Sequence, residues 1–359
     1  MSDATPVDLR RQATPKKLES ADVDAPHADA SLPEEYDAAT TRVGLVDRSD
    51  MGRLRVTGTD AIDLLNRLST NKLNDLPVGH GAYTVVTTNK GRIIDLLFVL
   101  RLEDHLSVAT SPEANQVIAD WIEFYTFVED VAVEDLTDKS ATLGLMGPSA
   151  AALLDRVSKA DASAMAPYAS EVASIEGVEV LIVRTDFAGS PAFDLVLQSK
   201  EIDGLWKHLL DEGSGSGIMP VGEDALEVLR IVQGRPRYGN ELTEEFNPLE
   251  ANLIEHVHFN KECYIGQEVV ARLNTYDKVQ KHLVGLSWEG EYDPALTSEL
   301  ATGGKSVGTL TSAAASPPTQ RRIGLGYVRN AQAEPGTRLV MGSGNTETEV
   351  RVEELPLTP

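Results

Sequence analysis

The hydrophobic and polar positions of this chain fall into two rounds of mixed helix and strand, followed by a run of short strands. A helix is expected to start near Leu32-Pro33-Glu34-Glu35, where proline and acids suit a first turn. Residues 53–57 read as a strand, and Gly58-Thr59-Asp60 leads into a helix carrying Ile62, Leu65 and Leu68 on one side. Strands at 83–87 and 93–102 flank Asn89-Lys90-Gly91, a hairpin turn sequence. A strand at 106–109 follows. Ser111-Pro112-Glu113 then opens a helix that aligns Val117, Ile118, Trp121 and Ile122.

The second round runs through strands at 143–146, 179–184 and 193–197 and helices at 149–157, 202–210 and 223–231. Neither round shows the strict alternation of a parallel sheet, so the pattern predicts an α+β fold with mostly antiparallel sheets. From His282 onward, strands at 283–288, 306–311, 324–328, 338–341 and 347–352 are separated by Gly, Pro and Ser turns, as in a small β-barrel. Residues 1–32 are polar and without periodicity, which predicts a flexible arm. The expected division is that arm, α+β domains over 33–140 and 141–280, and a β-barrel domain over 281–359.

Composition narrows the functions open to this fold. Hydrophobic residues make up 42% of 359, enough for substantial cores. Asp and Glu number 56 against 32 Lys and Arg, a net charge of −24. Such a field repels phosphate backbones and anionic membranes, so direct nucleic-acid binding is not expected. Acids spread through every segment resemble the surfaces of proteins from salt-loving microbes. The single cysteine excludes an internal disulfide framework, and the N-terminus has no secretory pattern, so the expected location is the cytoplasm. The longest apolar stretch, 93–100, is broken by Asp95 and is too short to span a bilayer. Gly303-Gly304-Lys305-Ser306 is not a phosphate loop, because Glu299 occupies the first glycine position and a strand follows.

The lone thiol lies in Lys261-Glu262-Cys263-Tyr264-Ile265-Gly266-Gln267-Glu268-Val269-Val270. Residues 267–273 have helical spacing, which puts Cys263 just before a helix N-terminus, with Lys261, His256 and His258 near in sequence. Packing and reactivity both remain open for it on these grounds. His256, His258 and Cys263 match no familiar zinc spacing, and no metal is assigned.

This run resembles the K-G-C-[FY]-x-G-Q-E-V signature of the YgfZ family of folate-binding proteins, relatives of GcvT, the aminomethyltransferase (T-protein) of the glycine cleavage system. Glu262 departs from the signature's glycine. The resemblance implies a three-domain fold, tetrahydrofolate or a one-carbon derivative as cofactor, and a functional thiol at Cys263. Asn89-Lys90-Gly91-Arg92-Ile93-Ile94-Asp95 is similar to the T-protein's G-G-x-x-D-D segment, with Asp95 on its first Asp and Leu96 on its second. By its own pattern Asp95 is either a solvent-facing strand residue or a paired buried acid. Tyr83, by the same resemblance, lines the folate. The segment Arg230 to Pro236 resembles the family's R-x-x-x-G-x-P, which implies that Arg230 contacts the folate carboxylates. Phe187 takes the tyrosine position of the T-protein's G-Y-T-G-E, and Ser190 stands where that segment has a pterin-binding Glu, leaving Asp194 or another acid to substitute.

The function this implies is tetrahydrofolate binding in support of iron–sulfur cluster assembly or repair, with iron–sulfur client or assembly proteins as partners. The alternative is a folate-dependent aminomethyltransferase or related demethylase, and a third class is a tRNA-modification accessory factor. Cys263 and Asp95 are the expected reactive groups; Tyr83, Asp95, Phe187 and Arg230 are the expected folate-binding ones.

Overall fold

The computed structural model describes residues 31–187, 190–290, 298–342 and 347–357. The expected N-terminal arm lies almost wholly outside the described residues, as do the side chains of Phe187 and Ser190.

The chain opens with helix α1 (Leu32–Thr41) and strand β1 (Val43–Asp47). A capping box starts α1: Glu34 Oε2 accepts from Ser31 N and from Ser31 Oγ, each at 2.9 Å. Then come β2 (Gly52–Thr57), α2 (Ala61–Leu68), β3 (His80–Thr87), β4 (Ile93–Arg101), β5 (Leu106–Thr110), α3 (Asn115–Phe124) and β6 (Ala132–Asp135). Their five strands form an antiparallel sheet in the order β3-β4-β5-β2-β6. Leu64, Leu65 and Leu68 of α2 and Ile118 and Ile122 of α3 bury their apolar stripes against Leu54, Leu97 and Val99 on one face of it. Helix α3 begins at Asn115 and not at Ser111, because Ser111-Pro112-Glu113 is a turn with Glu113 at φ 64°.

The second unit contains β7 (Ser140–Met146), α4 (Ala150–Ser158), β8 (Ser170–Ile175), β9 (Val178–Phe187), β10 (Ser190–Gln198), α5 (Ile202–Gly213), β11 (Ile218–Pro220) and α6 (Glu223–Val232). Its six-stranded sheet has the order β11-β1-β7-β10-β9-β8. Strand β1 pairs antiparallel with β7 and parallel with β11, so residues 43–47 join this unit although they precede the first sheet in sequence. Helices α4 and α5 cover one face, where Leu153, Leu154, Leu205 and Leu209 meet Leu143, Leu145 and Phe193.

After α7 (Gln267–Thr275), the strands β12 (Lys281–Trp288), β13 (Glu299–Thr302), β14 (Lys305–Ala315), β15 (Arg322–Arg329), β16 (Arg338–Met341) and β17 (Thr348–Glu353) close a barrel in the order β12-β15-β14-β13-β16-β17. Closure removes exposed sheet edges. The architecture is therefore the α+β arrangement plus barrel that the sequence pattern predicts. Gly303 and Gly304 form the turn between β13 and β14, so Lys305-Ser306 continues into a strand.

The three sheets meet at one apolar cluster. Val85 and Ile93 come from the first sheet, Met146 and Ala192 from the second, Val228 and Leu229 from α6, and Leu325 and Tyr327 from the barrel. Beside it Glu241 is fully buried. Its carboxylate accepts from Arg230 Nη1 at 3.1 Å, Ser312 Oγ at 2.7 Å and the Arg237 amide at 2.9 Å. A buried carboxylate held by this many donors fixes the barrel to α6, because losing any of them would leave part of it desolvated and unpaired. No helix among the described residues is long and apolar enough to cross a membrane.

Candidate functional site

The edges of the two sheets approach each other, and the side chains that meet at this junction form the candidate cleft. His80 at the start of β3 bridges to Ala169 just before β8, and the Gly81 amide donates to the Tyr168 carbonyl at 2.8 Å. This contact brings four rings together. Tyr83 lies 5.0 Å from Phe98, 5.6 Å from Tyr168 and 5.4 Å from His256, centroid to centroid. Tyr83 and Phe98 are directly opposed across β3 and β4, which places both rings on the same face.

Charged groups from the second unit line the other side. Arg48, just after β1, donates Nη1 to both Asp194 carboxylate oxygens at 2.8 and 3.1 Å. A recess beside this pair is lined by Gly144, Leu145, Met146, Ala192, Phe193 and Leu226. Arg235 donates to the Asp186 carbonyl and to the Tyr83 hydroxyl. Burial pushes the Tyr83 phenol up, with the positive fields of Arg235 and Arg48 opposing. Burial also pushes His256 below its ordinary value; nearby Glu255 opposes this and Arg235 adds to it, so the ring is a neutral wall at pH 7.

Of the expected folate residues, Tyr83 sits in this cleft. Asp95 does not. Val86 pairs with Asp95 and Thr87 with Ile93, so Ile94 is an extra residue in β4. From there Asp95, Leu97 and Val99 share the face covered by α2 and α3, while Leu96 and Phe98 face the cleft side. Asp95 is fully buried, and its oxygens accept from Ser111 Oγ at 2.6 Å, Ser111 N at 2.9 Å and Leu96 N at 2.8 Å. Burial pushes its carboxyl up to about 6 against the pull of those donors.

Arg230 is also engaged within the fold. It donates to both Glu227 oxygens at 2.8 and 2.5 Å, to the Arg235 carbonyl at 2.7 Å and to Glu241 at 3.1 Å. The guanidinium that reaches the cleft is that of Arg235, five residues on in the same R-x-x-x-G-x-P segment. The side chain of Phe187 is outside the described residues.

The Cys263 segment docks on the first unit. Lys261 Nζ is buried and donates to the carbonyls of Asn66, Ser69 and Asn71 at 2.6, 2.8 and 2.5 Å. These carbonyls cluster at the C-terminal end of α2, where a cation is favoured. Burial pushes the Lys261 ammonium down to about 7, and nearby Glu262 opposes the shift. Tyr264 is buried, and Thr87 Oγ1 donates to the Ile265 carbonyl at 2.7 Å. Gly266, at φ 85°, lies so close to the β3–β4 turn that an added Cβ would sit 2.6 Å from the Thr88 carbonyl oxygen. Cys263 itself is exposed. The Asn71 side chain donates to the Tyr83 carbonyl at 2.8 Å, so Lys261, Asn71 and Tyr83 form a continuous chain of contacts from the thiol segment to the cleft.

His256 lies in a 3-10 turn (Ile254–His256) and faces Tyr83. Among the described residues no group of three His, Cys, Asp or Glu side chains is placed to hold a metal. Arg48, Phe98, Tyr168 and Arg235 are cleft residues that the sequence reading did not single out.

Two α+β sheets and a six-stranded barrel that share one apolar cluster define a three-part protein, with its candidate site at the junction of the two sheets. The family described as "GCVT N-terminal domain" matches residues 7–261, and "Glycine cleavage T-protein C-terminal barrel domain" matches 281–358. The chain belongs to this glycine cleavage T-protein (GcvT) family. An aminomethyltransferase of Streptomyces coelicolor is 34% identical, covering 88% of this chain and 86% of that protein. One of Bacillus subtilis is 30% identical, covering 94% of each. A chloroplastic protein of Arabidopsis thaliana, described as a transferase, is 32% identical over 86% of this chain and 70% of its own length. The crystal structure of glycine cleavage system aminomethyltransferase T from Bartonella henselae shares the fold, with a TM-score of 0.81 at 23% identity over 91% of this chain and 90% of that one.

Proposed function

We propose that this chain binds tetrahydrofolate in the cleft and works as a folate-dependent one-carbon transferase of the aminomethyltransferase type. The observation that carries this is the grouping of Tyr83, Phe98, Tyr168 and His256 around the Arg48–Asp194 pair and Arg235. The donor set fits a reduced folate. Its pterin edge presents N–H groups to a carboxylate, its rings suit aromatic walls, and its glutamate tail suits a guanidinium. Tyr83 and Tyr168 would wall the rings, Asp194 would accept from the pterin edge, and Arg235 would hold the tail. Tetrahydrofolate, when bound, supplies ring nitrogens that accept a one-carbon unit. The names of the curated relatives favour this reading over the iron–sulfur role. The test is formation of methylenetetrahydrofolate from an aminomethyl-loaded lipoyl carrier protein. Turnover that survives Cys263→Ala and falls with Tyr83→Leu is expected. Folate binding without any turnover would defeat the transferase assignment.

A second reading keeps the YgfZ-type role, in which bound folate and the Cys263 thiol support iron–sulfur assembly. Two observations favour it. Cys263 is exposed on a segment pinned at Lys261, Tyr264 and Gly266, and the cleft-facing residue of β4 is Leu96, so no β4 carboxylate reaches the cleft. A deletion strain complemented with Cys263→Ser checks it: loss of iron–sulfur enzyme activity is expected, and full rescue would remove the thiol from the function.

A further inference from the structure

We infer that the turn after α3 is a docking site for an amphipathic, cationic helix of a partner protein, whose apolar stripe covers Phe124, Phe127 and Val128. The inference stands apart from the folate reading and does not use the junction of the two sheets.

Aromatic residues are scarce here, with 7 Phe, 9 Tyr and 3 Trp in 359 residues, yet Trp121, Phe124, Tyr125 and Phe127 crowd the end of one helix. Trp121 and Tyr125 pack edge to face at 5.1 Å, and Phe124 meets Tyr125 at 5.0 Å. Beyond them the apolar side chains turn outward. Phe124 is 40% exposed, Phe127 77% and Val128 95%. Large apolar side chains left in water this close together mark an interaction surface. The fold imposes this exposure. Glu129 Oε2 accepts from the Phe127 amide at 2.9 Å and the Val128 amide at 3.1 Å, and Glu129 Oε1 accepts from Arg67 Nη2 at 3.0 Å. The Asp130 amide donates to Asp60 Oδ2 at 2.8 Å, and Asp130 Oδ2 accepts from the Thr59 amide and hydroxyl at 3.0 and 3.1 Å. A partner therefore meets a surface whose backbone is already set, which lowers the ordering cost of binding.

Backbone, charge and size together select the occupant. The amides of Tyr125, Thr126, Phe127, Val128, Asp130 and Val131 all donate within the turn or to its anchors, so an added strand would find those donors taken. Recognition must then run through side chains, as it does when a helix lays its apolar stripe on a partner. Residues 111–138 contain no Lys or Arg, while Asp120, Glu123 and Asp130 are exposed. Asp120 lies one helical turn before Phe124, on the same face of α3. Arg67, which reaches the turn through Glu129, is shared with Asp63 at 2.9 Å. A row of Lys or Arg flanking the stripe complements this acidic rim. A second copy of this chain would set acid against acid. The three side chains also offer only about 400 Å², about half of the ~800 Å² that each side of a stable pair buries.

The experiment is a fluorescence-anisotropy titration of a labelled leucine–lysine peptide of helical spacing with the full chain, in about 0.15 M KCl. Two further probes are the same residues shuffled to destroy the apolar stripe, and a leucine–glutamate peptide of the original spacing. The parent is expected to bind the leucine–lysine helix about tenfold or more tighter than either of them. Phe127→Ser combined with Val128→Ser keeps every charge and is expected to erase that margin. Its urea midpoint should match the parent's, because neither side chain is buried; Phe127→Ser alone serves if the pair is less stable. No binding of the leucine–lysine peptide, equal affinity for the shuffled peptide, or a margin unchanged in the folded variant overturns the inference. So does a parent that sediments as a dimer beside a variant that sediments as a monomer, since that assigns the face to a second copy.

Discussion

Replacing Lys261 with Met tests whether the conspicuous Lys-x-Cys-Tyr-x-Gly segment is first of all a structural latch. The ammonium makes three hydrogen bonds to carbonyls at the end of α2 and in the loop that follows. Hydrogen bonds from a charged donor contribute about 1.5–3 kcal/mol each. Burying an ammonium cancels several kcal/mol of that sum. Methionine keeps the apolar stem but leaves those carbonyls without this donor, at about 1–3 kcal/mol for each that stays dry. Water reaching some of them lowers the total, so the expected loss is about 2–4 kcal/mol. Urea unfolding of the full chain measures it, and labelling of Cys263 by a thiol reagent should quicken as the segment loosens. A loss below about 0.5 kcal/mol, with an unchanged labelling rate, would show that Lys261 holds nothing in place.

Asp95→Asn should change the pH dependence of stability. The folded carboxyl is pushed up to about 6, so between the ordinary value and 6 the folded protein holds a proton that the unfolded chain releases. This group therefore makes stability fall as pH rises through that window, by about 3 kcal/mol in total. The Asn variant should lack this component of the slope, and identical slopes for variant and parent would contradict it. The charge of −24 predicts that the thermal midpoint rises when KCl goes from about 0.2 to about 2 M, because salt screens carboxylate repulsion. A midpoint that falls or stays level would refute that account of the surface.

How much of this was readable in the chain differs from residue to residue. Ile62, Leu65 and Leu68 announce α2, and Asn89-Lys90-Gly91 announces the β3–β4 hairpin, because both signals are local. Strand β1 is five residues long and finds partners only in β7 and β11, so no local turn betrays it. The side of β4 that Asp95 takes depends on the extra residue at Ile94, and a one-residue shift moves every later side chain to the other face. Arg48 carries no sequence signal, since its partner is set by the tertiary fold. For Arg230 a signal existed. Glu227 stands three residues earlier on the same helix, the spacing of an intrahelical ion pair, and the structure forms that pair.

Calorimetric titration of the full chain with 5-formyltetrahydrofolate, in parent and Tyr83→Leu forms, bears most directly on the cleft between the sheets. One saturable site per chain is expected, weakened about tenfold or more when the Tyr83 ring is removed. No saturable heat in the parent, or the same affinity in both forms, would contradict a folate site at this place.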